Sequence, residues 1–110
     1  MGTRAFTGRT VAVTGGASGI GAAIAERFGR EGACIALLDF DKKTLASTAK
    51  RFRDAGIEIM DVECDVTDEK KCEKAIKAVI KRFGGIDVLV NNAGITQRSL
   101  CKNTTTGVYR

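Results

Sequence analysis

The sequence predicts an α/β fold in which a parallel sheet carries helices on its faces, and three observations carry that prediction. Short apolar runs alternate with longer amphipathic stretches, the runs are β-branched or aliphatic as doubly covered strands are, and glycines stand at the joints between them. Strands that alternate with helices of this length connect through crossovers and lie parallel in one sheet.

Each element follows from its own residues. Met1 to Arg9 form a short polar lead-in, expected to be ordered where it meets the sheet. Thr10-Val11-Ala12-Val13-Thr14 is the first strand, and Ile20, Ile24 and Phe28 then recur at helical spacing. The glycines of Gly15-Gly16-Ala17-Ser18-Gly19-Ile20-Gly21 therefore occupy a strand-to-helix turn. Gly32 ends the first helix, and Cys34-Ile35-Ala36-Leu37-Leu38 forms a second strand that stops at Asp39.

A second helix runs from Asp41, its expected N-cap, to about Ala55, with Leu45, Ala49 and Phe52 on the buried face and Gly56 at its end. Ile57 to Cys64 is a third strand, in which Ile57, Ile59 and Val62 alternate with polar partners, and it ends at Asp65-Val66. Thr67 is the expected cap of the third helix, whose first turn carries Asp68 and Glu69. Cys72, Ile76, Val79 and Phe83 give that helix one apolar stripe, and Gly84-Gly85 closes it. Ile86-Asp87-Val88-Leu89-Val90 is the fourth strand and runs straight into Asn91-Asn92-Ala93-Gly94.

Composition narrows the possible partners. One domain is expected from 110 residues with 44% hydrophobic content. No apolar run approaches the length of a membrane span and no signal-peptide pattern opens the chain, which points to a soluble, cytoplasmic protein. Cys34, Cys64, Cys72 and Cys101 show no C-x-x-C spacing and there is no His, so no metal site is expected and the thiols are read as buried and reduced. The formal charge of +5 raises a nucleic-acid reading. Lys70, Lys74, Lys77 and Lys81 do line one helix face, but acids are interspersed and no aromatics interleave for base stacking. A solvated helix face is the better reading.

The turn after the first strand carries the chemistry. Free amides and the positive end of the helix dipole converge there, a combination that favours an anion such as a phosphate, and glycine lets the backbone come close to it. Asp39, at the tip of the second strand, stands where a ribose 2′-hydroxyl would be hydrogen-bonded. The plainer alternative is a glycine-rich loop that only lets a helix settle on a sheet, with Asp39 a solvated strand end. Likewise, Asn91-Asn92-Ala93-Gly94 by itself describes a tight turn. Yet the glycine turn, Asp39, Asp65-Val66 and Asn91 to Gly94 are each the carboxyl end of a strand, the edge at which open parallel sheets bind ligands.

With Thr14-Gly15-x-x-x-Gly19-x-Gly21 and Asn91-Asn92-Ala93-Gly94 in place, the chain from about Thr7 to Arg110 resembles the short-chain dehydrogenase/reductase family. The resemblance implies a Rossmann-type three-layer α/β/α sandwich with strand order 3-2-1-4, incomplete at the fourth-strand edge. It implies that residues 1–110 are the cofactor-binding part of a longer NAD(P)-dependent oxidoreductase acting on an alcohol or ketone, a homo-oligomer when whole. Gly15, Ser18, Gly19, Ile20 and Gly21 would cradle the adenosine and pyrophosphate end, and Asp39 would hold the ribose. Asp65 and Val66 would contact the adenine, while Asn91, Ala93 and Gly94 would line the cofactor channel. A carboxylate at Asp39, with no Arg or Lys at Ser18 or Phe40, favours NAD over NADP, although Lys42 and Lys43 lie close.

The family's catalytic Ser and Tyr-x-x-x-Lys cannot be placed. Ser99 and Tyr109 come too soon after Gly94, and Tyr109 is the penultimate residue. Residues 103–110 read as the opening of a further helix, and no residue of this chain is assigned a catalytic role. Two other readings stay open: a non-catalytic module that binds a dinucleotide, and an inactive fragment that associates through an open sheet edge.

Overall fold

The computed structural model describes residues 5–17, 19–65 and 67–92. The chain alternates β1 (Thr10–Thr14), α1 (Gly19–Arg30), β2 (Cys34–Asp39), α2 (Lys42–Asp54), β3 (Ile59–Glu63), α3 (Glu69–Phe83) and β4 (Val88–Asn91). The strands form one four-stranded sheet in the order β3-β2-β1-β4. All three pairings are parallel, with Thr14 opposite Leu38 on one side and Asn91 on the other. The expected order and direction of the strands are therefore those observed.

Alternation along the strands builds two cores. Val11, Val13, Ile35, Leu37 and Ile59 face α1 and α2, where they meet Ala25, Leu45, Ala49 and Phe52. Ala12, Ala36, Leu38 and Leu89 face the other way and meet Cys72, Ile76 and Val79 of α3. Every residue of β1 is buried, because it lies between β2 and β4 with a helix layer on each face. Of the lead-in, Phe6 meets Phe28 of α1 edge-on at 4.8 Å and donates its amide to the Glu31 carbonyl, and the Arg9 carbonyl accepts the Cys34 amide at the start of β2.

Several local expectations are corrected. The buried face of α1 is Gly21, Ala22, Ala25 and Gly29, whereas Ile20 is 71% exposed and Ile24 and Phe28 are half-buried. Small side chains let α1 lie close to the sheet, which turns the larger ones to its flanks. The N-cap of α3 is Asp68, which accepts from the Lys71 amide, and Thr67 instead serves the turn before it. The third strand begins at Ile59, two residues later than expected, and Ile57 is buried as part of the approach to it. Val62 does not share a face with Ile59; it packs with Met60 against the α3 side. The fourth strand is also shifted, to Val88–Asn91.

Cys34, Cys64 and Cys72 are free, with Cys34 half-buried rather than buried. Cys101 lies outside the described residues. Among the described residues there is no group of side chains able to hold a metal ion, and no helix is long and apolar enough to cross a membrane.

Candidate functional site

The candidate site lies along the carboxyl edge of the sheet, and the β1 turn is its centre. Gly15 and Gly16 both donate their amides to the Leu38 carbonyl, at 2.7 and 3.3 Å, so the chain leaving β1 is pinned to the end of β2. Gly15 and Gly19 adopt positive φ angles of 63° and 59°, which glycine reaches without a steric penalty. Gly21 is fixed by a different constraint. A Cβ there would stand 2.1 Å from the Gly15 carbonyl oxygen and 2.9 Å from the Asn92 side chain, so α1 can begin against the turn only if that position has no side chain.

This close approach seats the start of α1 against the end of β1. The first-turn amides of a helix have no intrahelical acceptors, and at Gly19, Ile20 and Gly21 they stand at the sheet edge with the positive end of the helix dipole. The amides of Gly15 and Gly16, by contrast, are already committed to Leu38. The turn thus divides into a half whose amides are bonded to β2 and a half that opens α1.

Asp39 is 9% exposed and is bound into the turn. One carboxylate oxygen accepts the Ala17 amide at 3.1 Å, and the other accepts the Asp41 amide at 3.1 Å. The following residue, Phe40, is 75% exposed, so an aromatic side chain stands on open surface next to the carboxylate in sequence.

Across β1, the Thr14 hydroxyl lies 3.1 Å from the Asn91 Oδ1 and 3.4 Å from the Val90 carbonyl. Asn92 donates its side-chain amide to the Gly15 carbonyl at 3.3 Å. The end of β4 is thereby joined to the glycine turn through two adjacent asparagines. Asp65 stands at the end of β3 in an exposed turn, where it accepts from both the Thr67 hydroxyl, at 2.6 Å, and the Thr67 amide, at 3.0 Å. Those bonds hold its carboxyl below the usual range, the hydroxyl contributing most.

Of the residues singled out in the sequence, Gly15, Gly19, Ile20, Gly21, Asp39 and Asn91 are brought together around the end of β1, with Asp65 on the same edge at β3. Ser18, Val66, Ala93 and Gly94 lie outside the described residues. Two contributors were missed. Asn92 belongs to the quoted Asn-Asn pair but was given no role; Thr48 on α2 is 6% exposed and donates its hydroxyl to the Ala17 carbonyl. A signal for Thr48 existed, since it falls three residues after Leu45 and four before Phe52, on the buried stripe.

Comparison with known proteins agrees with this arrangement. The family model for short chain dehydrogenase matches residues 9–108. The chain belongs to the short-chain dehydrogenase family. An uncharacterised oxidoreductase of Mycobacterium bovis is 41% identical to it over 97 residues, 88% of this chain and 39% of the relative. The citronellol catabolism dehydrogenase of Pseudomonas aeruginosa superposes with a TM-score of 0.81 at 32% identity, over 86% of this chain and 39% of that one. A family member from Burkholderia phymatum, solved in complex with NAD, superposes with a TM-score of 0.79 at 35% identity, over 86% of this chain and 33% of that one. This short-chain dehydrogenase sequence therefore spans about two fifths or less of the length of these proteins.

Proposed function

We propose that residues 1–110 form the dinucleotide-binding part of an oxidoreductase that moves hydride between a nicotinamide and an alcohol or ketone carbon. The observation that carries this reading is the division of labour in the β1 turn. Its first amides are consumed by Leu38, while those that open α1 stand at the same sheet edge as the Asp39 carboxylate and belong to a first helical turn, without intrahelical acceptors. That donor set fits the diphosphate of a dinucleotide: amides and a helix dipole for the anion, Asp39 for an adenosine ribose, and Phe40 and Ile20 for apolar contact. Each oxygen of the Asp39 carboxylate keeps a lone pair beyond its present bond, so a ribose diol and the Ala17 amide can be held together.

Within this reading Gly15, Ser18, Gly19, Ile20 and Gly21 cradle the pyrophosphate end, Asp65 and Val66 contact the adenine, and Asn91, Ala93 and Gly94 line the channel. NAD is preferred to NADP, because a 2′-phosphate would meet the Asp39 carboxylate. A bound nicotinamide would supply the hydride chemistry; the residues on this chain bind and orient it. The whole enzyme would take a small alcohol or ketone and assemble as a homo-oligomer. A reducing cytoplasm suits the thiols, since burial pushes the Cys64 thiol up and keeps it protonated.

Isothermal titration with NAD and NADP tests the proposal. Saturable binding of NAD, weaker for NADP, is expected. An absence of heat with both, in protein shown to be folded by circular dichroism, would overturn it. Mixing the chain with NAD and a panel of alcohols should give no reduced nicotinamide, and sustained turnover would contradict the absence of catalytic residues from this stretch.

A further inference from the structure

Ala17 sits at the hinge of the glycine turn with both of its polar backbone groups taken by side chains from elsewhere. Its amide donates to Asp39 at the tip of β2, and its carbonyl accepts the hydroxyl of Thr48 on α2. Ala17 is 2% exposed and Thr48 6%, so water cannot readily replace either partner. The two partners lie 22 and 31 residues away in sequence, and they arrive together because α2 follows directly from β2. The two groups belong to the successive peptide units on either side of the Ala17 Cα, so holding both restrains the φ and ψ of Ala17. The backbone conformation of Ala17 bears on the direction in which the chain runs on to α1, which begins at Gly19 with the amides of Gly19, Ile20 and Gly21 in its first turn.

We infer that Thr48 is a positioning residue for the dinucleotide site: with Asp39 it clamps the two peptide groups that flank Ala17 and so preorganises the amides that receive the diphosphate. The inference rests on the dinucleotide reading for the identity of the ligand, while the clamp itself is a property of the free protein. A preorganised donor set binds more tightly because less ordering is left to occur on association. Removing the hydroxyl leaves the Ala17 carbonyl buried without its donor, which favours reorientation of the peptide. Thr48 touches no ligand atom in this scheme. It acts through Ala17.

The experiment compares the intact chain with Thr48→Val, which keeps the shape and removes the hydroxyl, and Thr48→Ser, which keeps the hydroxyl. Two quantities are read: the dissociation constant for NAD by titration calorimetry, and amide hydrogen exchange at Ala17 and Ile20 in the ligand-free protein. Thr48→Val should weaken NAD about fivefold and speed exchange by about the same factor, the effect of one buried hydrogen bond. Thr48→Ser should restore both to near the starting values.

Equal exchange and equal affinity in the unsubstituted and Thr48→Val chains would overturn the inference and leave the dinucleotide reading intact. Equal loss in Thr48→Val and Thr48→Ser would also overturn it, since shape and not the hydroxyl would then matter. No NAD binding by the unsubstituted chain, with the exchange difference present, would overturn the dinucleotide reading and leave the clamp standing.

Discussion

The turns after β1 and β3 stand at the carboxyl ends of two strands that flank β2 in the same parallel sheet, and both drew a functional reading from sequence, yet they are held in opposite ways. The β1 turn is braced from three other elements: Leu38 and Asp39 of β2, Thr48 of α2, and Asn92 just past β4. The β3 turn is held largely by its own residues, with Asp65 accepting twice from Thr67 and its carbonyl accepting from the Asp68 amide. The first is a product of the whole fold and the second of a few adjacent side chains. Substitutions in the first should therefore change folding and binding together, while those in the second should change binding alone and by less.

The largest effect is expected from Gly21→Ala. The added Cβ meets the Gly15 backbone at 2.1 Å, and a backbone carbonyl cannot swing aside as a side chain can. A loss of about 1–3 kcal/mol in denaturant stability is expected, together with NAD binding weaker by about tenfold or more. Full affinity in that variant would show that α1 need not lie against the turn.

Asp39→Ala comes next. It strips the acceptor from two amides, Ala17 and Asp41, so a stability loss of about 1–3 kcal/mol is expected from the buried group. Affinity should fall for NAD and for NADP through the loosened turn, and fall further for NAD, so that the preference between them narrows. An unchanged preference would remove the carboxylate from the ribose; a loss confined to NAD would deny it a part in holding Ala17.

Asp65→Ala should leave the thermal midpoint close to that of the unsubstituted chain and weaken NAD less than Asp39→Ala does. A drop in stability matching that of Asp39→Ala would erase the contrast between the two turns. The smallest effect is acid loosening of the β3 turn. The Asp65 carboxyl titrates below its ordinary value when folded, so its bonds to Thr67 contribute fully above the unfolded pKa of about 3.9 and are lost as the pH falls through the lower folded value. The Thr67 amide resonance should shift over that acid range, and a shift near neutrality would assign the change to another group.

The division between long-range and local bracing also explains what was legible in the sequence. Strand order, the glycine turn, and Asp39 at the tip of β2 followed from apolar runs, glycine positions and the family pattern, all of which are written in consecutive residues. The Asp41 N-cap was legible for the same reason, and the structure shows it accepting the Thr44 amide. Periodicity misread Ile20 because it counts apolar residues and cannot see that Gly21, Ala25 and Gly29 bring the helix closer than a bulky stripe would allow. Thr67 reads as the cap and Asp68 as an acid of the first turn, whereas Asp68 accepts the Lys71 amide and Thr67 donates to Asp65. The spacing of α2 marks Thr48 as a position on the buried stripe, but its partner is a carbonyl on another element, and that leaves no trace in local spacing.

The most direct test is a titration of isotopically labelled protein with NAD, followed through its backbone amides. The largest chemical-shift changes should fall on Gly19, Ile20 and Gly21, with smaller ones at Gly15 and Gly16, whose amides are already bonded to Leu38. Changes centred elsewhere, with those three amides unmoved at saturation, would show that the start of α1 is not where the diphosphate binds.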